Sequence, residues 1–121
     1  MHSSGEVKIT DDVISSIAGA AAMKIEGVHS LSGSVVEGIG EMFGKKSFSK
    51  GIVVELGEEG YRIDANIIVE HGYKIQDVAL KAQRSIENDV KNMIGLDIEA
   101  VNIYVDGVKI DESKESSDSE D

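Results

Sequence analysis

Hydrophobic positions along the chain change period several times, and each change marks an element. Val7 and Ile9 alternate with Glu6 and Lys8, the two-residue period of a short strand. From Thr10 the spacing lengthens, and Val13, Ile14, Ile17, Ala18, Ala21 and Ile25 fall on one helical stripe. Thr10 suits the N-cap, and Asp11 and Asp12 in the first turn favour the positive end of the helix dipole. Gly19, Ala20, Ala21 and Ala22 make this helix narrow, which fits close approach by the backbone of a sheet. Gly27 reads as a left-handed cap closing the helix region. Val28 to Ser32 then reads as a short strand.

Residues 33–50 lose the pattern. Val35, Val36, Ile39, Met42 and Phe43 have the spacing of an amphipathic turn or two, but Gly38, Gly40 and Gly44 weaken it. A flexible excursion with some helix is expected there. Alternation returns with Ile52, Val54 and Leu56, and again with Tyr61, Ile63, Ala65, Ile67 and Val69, with Arg62, Asp64 and Asn66 opposite. Gly57-Glu58-Glu59-Gly60 between these runs predicts a hairpin and an antiparallel pair. A long second helix follows, with Ile75, Val78, Ala79, Ala82, Ile86, Val90, Met93 and Ile94 on one face. Lys81, Arg84, Glu87 and Lys91 occupy the other, and Gly95 closes it. A last strand runs from about Asp97 to Val105, with Val101, Ile103 and Val105 pointing one way.

Two one-sided helices and strands with one apolar face predict an α+β fold. The expected architecture is a two-layer sandwich, a mostly antiparallel sheet with two helices packed on one face. The other face of the sheet is left wet. A length of 121 residues fits one domain. Residues 1–5 read as a tag remnant, 6–110 as the domain, and 111–121 as a disordered acidic tail with no apolar residue to bury before the chain ends. Neither a signal peptide nor a run of roughly 20 apolar residues is recognisable, so direct membrane insertion is not expected.

Composition removes several kinds of chemistry. The chain contains no Cys, which excludes disulfides, thiolate metal sites and a cysteine nucleophile. Its formal net charge of −11 makes it a poor generic binder of phosphate backbones or anionic lipid. His29 and His71 lie in different strand ends without the spacing of a zinc site. Ser30, Ser32 and Ser34 flank His29 without a nucleophile signature such as G-x-S-x-G. Gly38 to Gly44 misses the dinucleotide fingerprint by one residue and carries Glu41 where a phosphate would lie. Gly57 to Gly60 has the form of a KH loop, but it joins strands and carries two carboxylates. No cofactor, metal or catalytic residue is expected.

Several stretches in register resemble the alkaline-shock-protein twenty-three family. They are Gly5 to Ile14 with Ile17 to Ala21 and Gly27-Val28, then Gly51 to Glu55, then Gly72 to Ala79 with Gln83. The fourth, Gly95 to Val108, is similar to the family's closing signature. Together they cover nearly everything from Gly5 to Ile110. Gln76 stands where many relatives carry Pro, and His71 where an aromatic is common, which leaves the subfamily open. The resemblance implies a non-catalytic protein of Gram-positive-type bacteria, tied to envelope homeostasis and stress. It also implies a cytoplasmic protein gathered near the inner face of the membrane through a membrane-anchored partner, or one that associates with itself. The alternative is a nucleic-acid-binding regulator, which the net acidity opposes. The candidate partner contacts are Met42, Phe43, Lys45, Lys46 and Phe48, aromatic, apolar and basic residues gathered on the Gly-rich excursion.

Overall fold

The computed structural model describes residues 5–33 and 50–110. Its elements are α1 (Asp11–Met23), β1 (Val28–Leu31), β2 (Ile52–Leu56), β3 (Tyr61–Glu70), α2 (Ile75–Ile94) and β4 (Ile98–Lys109). The readings of the first four residues, of the 34–49 excursion and of the tail beyond Ile110 fall outside the described residues.

β3 organises the sheet. Along its whole length one edge pairs with β4 in parallel, from Tyr61 opposite Ile98 to Glu70 opposite Lys109. The other edge is shared: β2 runs antiparallel beside Tyr61 to Ala65, and β1 runs antiparallel beside Ile67 to Val69. Asn66 sits at the join, accepting from Ser32 N and donating to Gly51 O, both at 2.8 Å. β1 and β2 are thus two halves of one edge line, interrupted where the chain leaves at Gly33 and returns at Lys50. Two of the three ladders are antiparallel, as expected, but the longest is the parallel one.

The two faces of β3 differ as its alternation requires. Ile63, Ala65, Ile67 and Val69 are fully buried, while the residues between them are half-buried on the outer face. Both helices cover the buried side. Ile14, Ala18, Ala21 and Ala22 of α1 meet Ile86 and Val90 of α2 over Ile52, Ile63, Ala65 and Val101. A second cluster joins Val78 and Ala82 of α2 to Val28, Ile67 and Val69. Ser85 Oγ donates to Ala21 O at 2.9 Å, tying the helices together across the small-residue face of α1.

Several expectations need correction. Glu6 to Ile9 form no strand: they precede α1 with Val7 91% exposed, because no described strand edge lies beside them to complete a ladder. Thr10 occupies the N-cap, but only its main-chain oxygen serves, accepting from Val13 N and Ile14 N. α1 closes on Lys24 in right-handed conformation, not on Gly27. Gly27 does hold φ 103°, yet its work is at the turn into β1, where a Cβ would lie 2.7 Å from Val78 and 3.1 Å from Tyr73. Gly19 makes room for the side chains of Leu31 and Ile52 rather than for sheet backbone. On α2, Ile75 and Met93 share the stripe but lie beyond the sheet's reach, Met93 being 68% exposed. β4 continues to Lys109 because β3 offers pairing that far.

Ile86 is fully enclosed between both helices and the sheet. Its replacement in Ile86→Ala should cost about 2–5 kcal/mol in urea unfolding, as for other large-to-small core changes. Gly27→Ala meets both an unfavourable φ and a collision with Val78, so a loss of about 1–3 kcal/mol is expected in the same measurement.

Candidate interaction surface

The outer face of the sheet is built from the residues that β3's alternation turns away from the helices. The registers set Glu55, Arg62 and Ala100 in one row, and Val53, Asp64 and Asn102 in the next. Asn66 then stands beside Tyr104, and Ile68 beside Gly107. Gly107 is the close-fitting position of this face, since a Cβ there would come within 3.3 Å of Ile68 Cδ1. The polar members satisfy one another across strands: the Arg62 guanidinium pairs with the Glu55 carboxylate, and Asn102 Nδ2 donates to Asp64 Oδ1 at 2.8 Å. Val53 (51%) and Tyr104 (48%) remain as exposed apolar surface among them. Such a face can be read by a partner through shape and a few aromatic or aliphatic contacts, but it concentrates no charge of one sign.

The outer edge of β4 is also open among the described residues. One of its main-chain acceptors is taken from the helix layer, where Gln83 Nε2 donates to Val101 O at 2.9 Å. That bond partly masks an edge which would otherwise present a row of pairing groups.

Titratable side chains gather at the opposite end of β3. Tyr73 Oη donates to Glu26 Oε2 at 3.2 Å, and His29 Nδ1 lies 3.8 Å from Glu70 Oε2. The hydrogen bond to Glu26, with the negative charges of Glu26 and Glu70, pushes the Tyr73 phenol above its ordinary value. It therefore stays protonated at neutral pH and acts as a donor bracing the turn after α1. The serines that touch other groups here are structural as well: Ser15 Oγ donates to Asp11 O, and Ser85 Oγ to Ala21 O. Neither is within reach of a base that would make it a nucleophile. No cluster of His, Asp and Glu among the described residues has the arrangement of a metal site.

The residues singled out from the sequence, Met42, Phe43, Lys45, Lys46 and Phe48, lie outside the described residues. His29 and His71 stand at one end of the sheet, His29 facing Glu70 and His71 bonded through its main-chain N to Lys109 O. The Tyr73–Glu26 and Gln83–Val101 bonds carry no sequence signal, because each joins elements whose pairing only the packed fold determines.

No helix among the described residues is long and apolar enough to cross a membrane. In fold the chain is similar to MamM-CTD, with a TM-score of 0.52 at 12% identity, covering 83% of this chain and 100% of that one. In sequence it is similar to the uncharacterized protein YqhY of Bacillus subtilis, 37% identical over 88% of this chain and 79% of that protein. It is 36% identical to YloU of the same organism, over 88% and 90% of the two chains. A stress response regulator gls24 homolog of Streptococcus pyogenes is 26% identical over 93% of this chain and 63% of its own length. A family model covering residues 1–110 matches as well, and the chain belongs to the alkaline-shock-protein twenty-three family, described as having a cell envelope-related function.

Proposed function

We propose that this protein serves envelope homeostasis under stress without catalysis, through contacts with other proteins. In this reading it is cytoplasmic, and it either associates with itself or is held at the inner face of the membrane by a membrane-anchored partner. The observation that carries the reading is the outer face of the sheet. Its polar groups are already paired with one another, and Val53 and Tyr104 stand exposed between them. These cross-strand bonds reduce the number of polar groups left without a partner when another protein covers the face. The excursion residues Met42, Phe43, Lys45, Lys46 and Phe48 supply a second contact region in the same proposal.

A nucleic-acid-binding regulator is the second reading, favoured by the word regulator in the name of the gls24 homolog. The net charge of −11 opposes it, since binding to a phosphate backbone draws on clustered Lys and Arg. Binding to RNA with a steep salt dependence at physiological ionic strength would support this second reading.

The first reading is tested by two variants, Val53→Asp with Tyr104→Asp, and Phe43→Ala with Phe48→Ala. Each should reduce the size of the complexes the protein forms, by light scattering and cross-linking in extracts, while thermal unfolding stays cooperative. Unchanged complex size in both variants would sink it.

A further inference from the structure

Two features of the described structure are each incomplete alone. Glu6-Val7-Lys8-Ile9 has the alternation of a strand but no ladder, and these residues are exposed, Val7 to 91%. β4 has a ladder on one edge only. On its other edge Val101 O is taken by Gln83, and from Ile103 to Val108 no further bond to that edge is present among the described residues. A strand without an edge and an edge without a strand are the two halves of a strand addition.

We propose that Glu6–Ile9 of one copy of this chain adds antiparallel to the β4 edge of a second copy, between Val105 and Lys109. The proposal rests on the self-association branch of the proposed function and assigns both surfaces to it. Residue pairing carries it. Val105 stands opposite Ile67 and Val108 opposite Val69, and both partners are buried under the helices. The register slips at Asp106, so Val105 and Val108 share the helix side although three positions apart. Ile9 set opposite Val105, and Val7 opposite Val108, then put all four apolar side chains on one face. The same register sets Lys8 against Asp106 and Glu6 against Lys109, opposite charges in both cases. Run in parallel, the segment would set Glu6 against Tyr104 instead. The helix layer offers cover for the added strand: Leu80, one turn ahead of Gln83 on the same flank of α2, is 45% exposed.

A second copy is needed because the chain's own segment cannot reach. Glu70 N donates to Gly27 O at 2.8 Å, so α1 finishes at the end of β3 where Val105 to Lys109 also lie. Its 13 residues run back about 20 Å, past Ile52 beside Gly19, to Ile14 in the cluster with Ile63 and Val90. Gly5 to Ile9 therefore start from the hairpin end of the sheet. Five extended residues span about 17 Å at most, too few to return to that edge and also lie along it. Donor and acceptor are different surfaces, so the contact is head-to-tail.

A strand this short covers far less than the roughly 800 Å² per partner of a standard interface. Association is therefore weak, and sedimentation velocity at low salt with protein up to about 1 mM is the measurement. Val7→Pro removes a main-chain N–H that the added ladder uses, at a position exposed in the monomer. It should abolish association and leave thermal unfolding unchanged. Lys8→Asp and Asp106→Lys should each weaken association about threefold to tenfold, and the two changes combined in one chain should restore it. If the unaltered chain associates and Val7→Pro does so equally, the strand addition is overturned while self-association stands. If Val7→Pro dissociates but the charge exchange restores nothing, β4 is not the acceptor and the proposal is overturned as well. An unaltered chain that stays monomeric throughout overturns both, leaving recruitment by a partner.

Discussion

β3 has to satisfy two faces and two edges at once, and the remaining elements are arranged around that requirement. Its alternate residues Ile63, Ala65, Ile67 and Val69 are fully buried, so both helices must lie on that side. Its main-chain groups need partners along ten residues, and β4 supplies them on one edge. The other edge is completed by β2 and β1 end to end, with Asn66 bridging the gap between Ser32 and Gly51. An insertion between β1 and β2 therefore leaves the ladder continuous except at one residue. The central strand tolerates a long excursion on its edge line because the hydrogen bonds resume where the chain returns.

The same constraint distributes the surfaces available for function. On the helix side the inward faces are consumed by packing, which leaves the outward side of α1 and the ionic face of α2 with Lys81, Arg84, Glu87 and Lys91 exposed. The outer side of the sheet keeps a mosaic of paired polar groups with Val53 and Tyr104 exposed among them. The edge of β4 is partly masked by the bond from Gln83 to Val101. Polar side chains at the end near Tyr73 brace turns: Glu26 holds the phenol, and Glu70 faces His29. In each case the hydrogen-bonding capacity is spent on holding the fold. The chain belongs to a family with a cell envelope-related function, and the proposed role draws on the surfaces that packing leaves open.

What was legible in the sequence was whatever depended on local period. The β2–β3 hairpin, the buried stripe Val78, Ala82, Ile86 and Val90 of α2, and the α+β class all follow from spacing and turn residues. Elements whose existence depends on a distant partner were less so. Glu6 to Ile9 have the alternation of a strand, but a strand needs an edge, and none of the described ones lies beside it. The parallel partnership of β3 and β4 is invisible to periodicity, which reveals buried faces and not neighbours. Gly27 was recognisable as a special position, though its reason is the approach of Tyr73 and Val78 from another element. The candidate contacts on the excursion rested on residue type alone, and they lie outside the described residues.

The central claim, an envelope role exercised through protein contacts, is tested most directly by recovering the protein with its neighbours from the native cell. Membrane and cytosolic fractions would be cross-linked, the protein isolated by affinity, and its partners identified by mass spectrometry. The expected result is recovery with a membrane protein, cross-linked through the outer sheet face or the excursion, together with copies of itself. Recovery of nucleic acid and ribonucleoproteins alone would contradict the claim and favour a regulator.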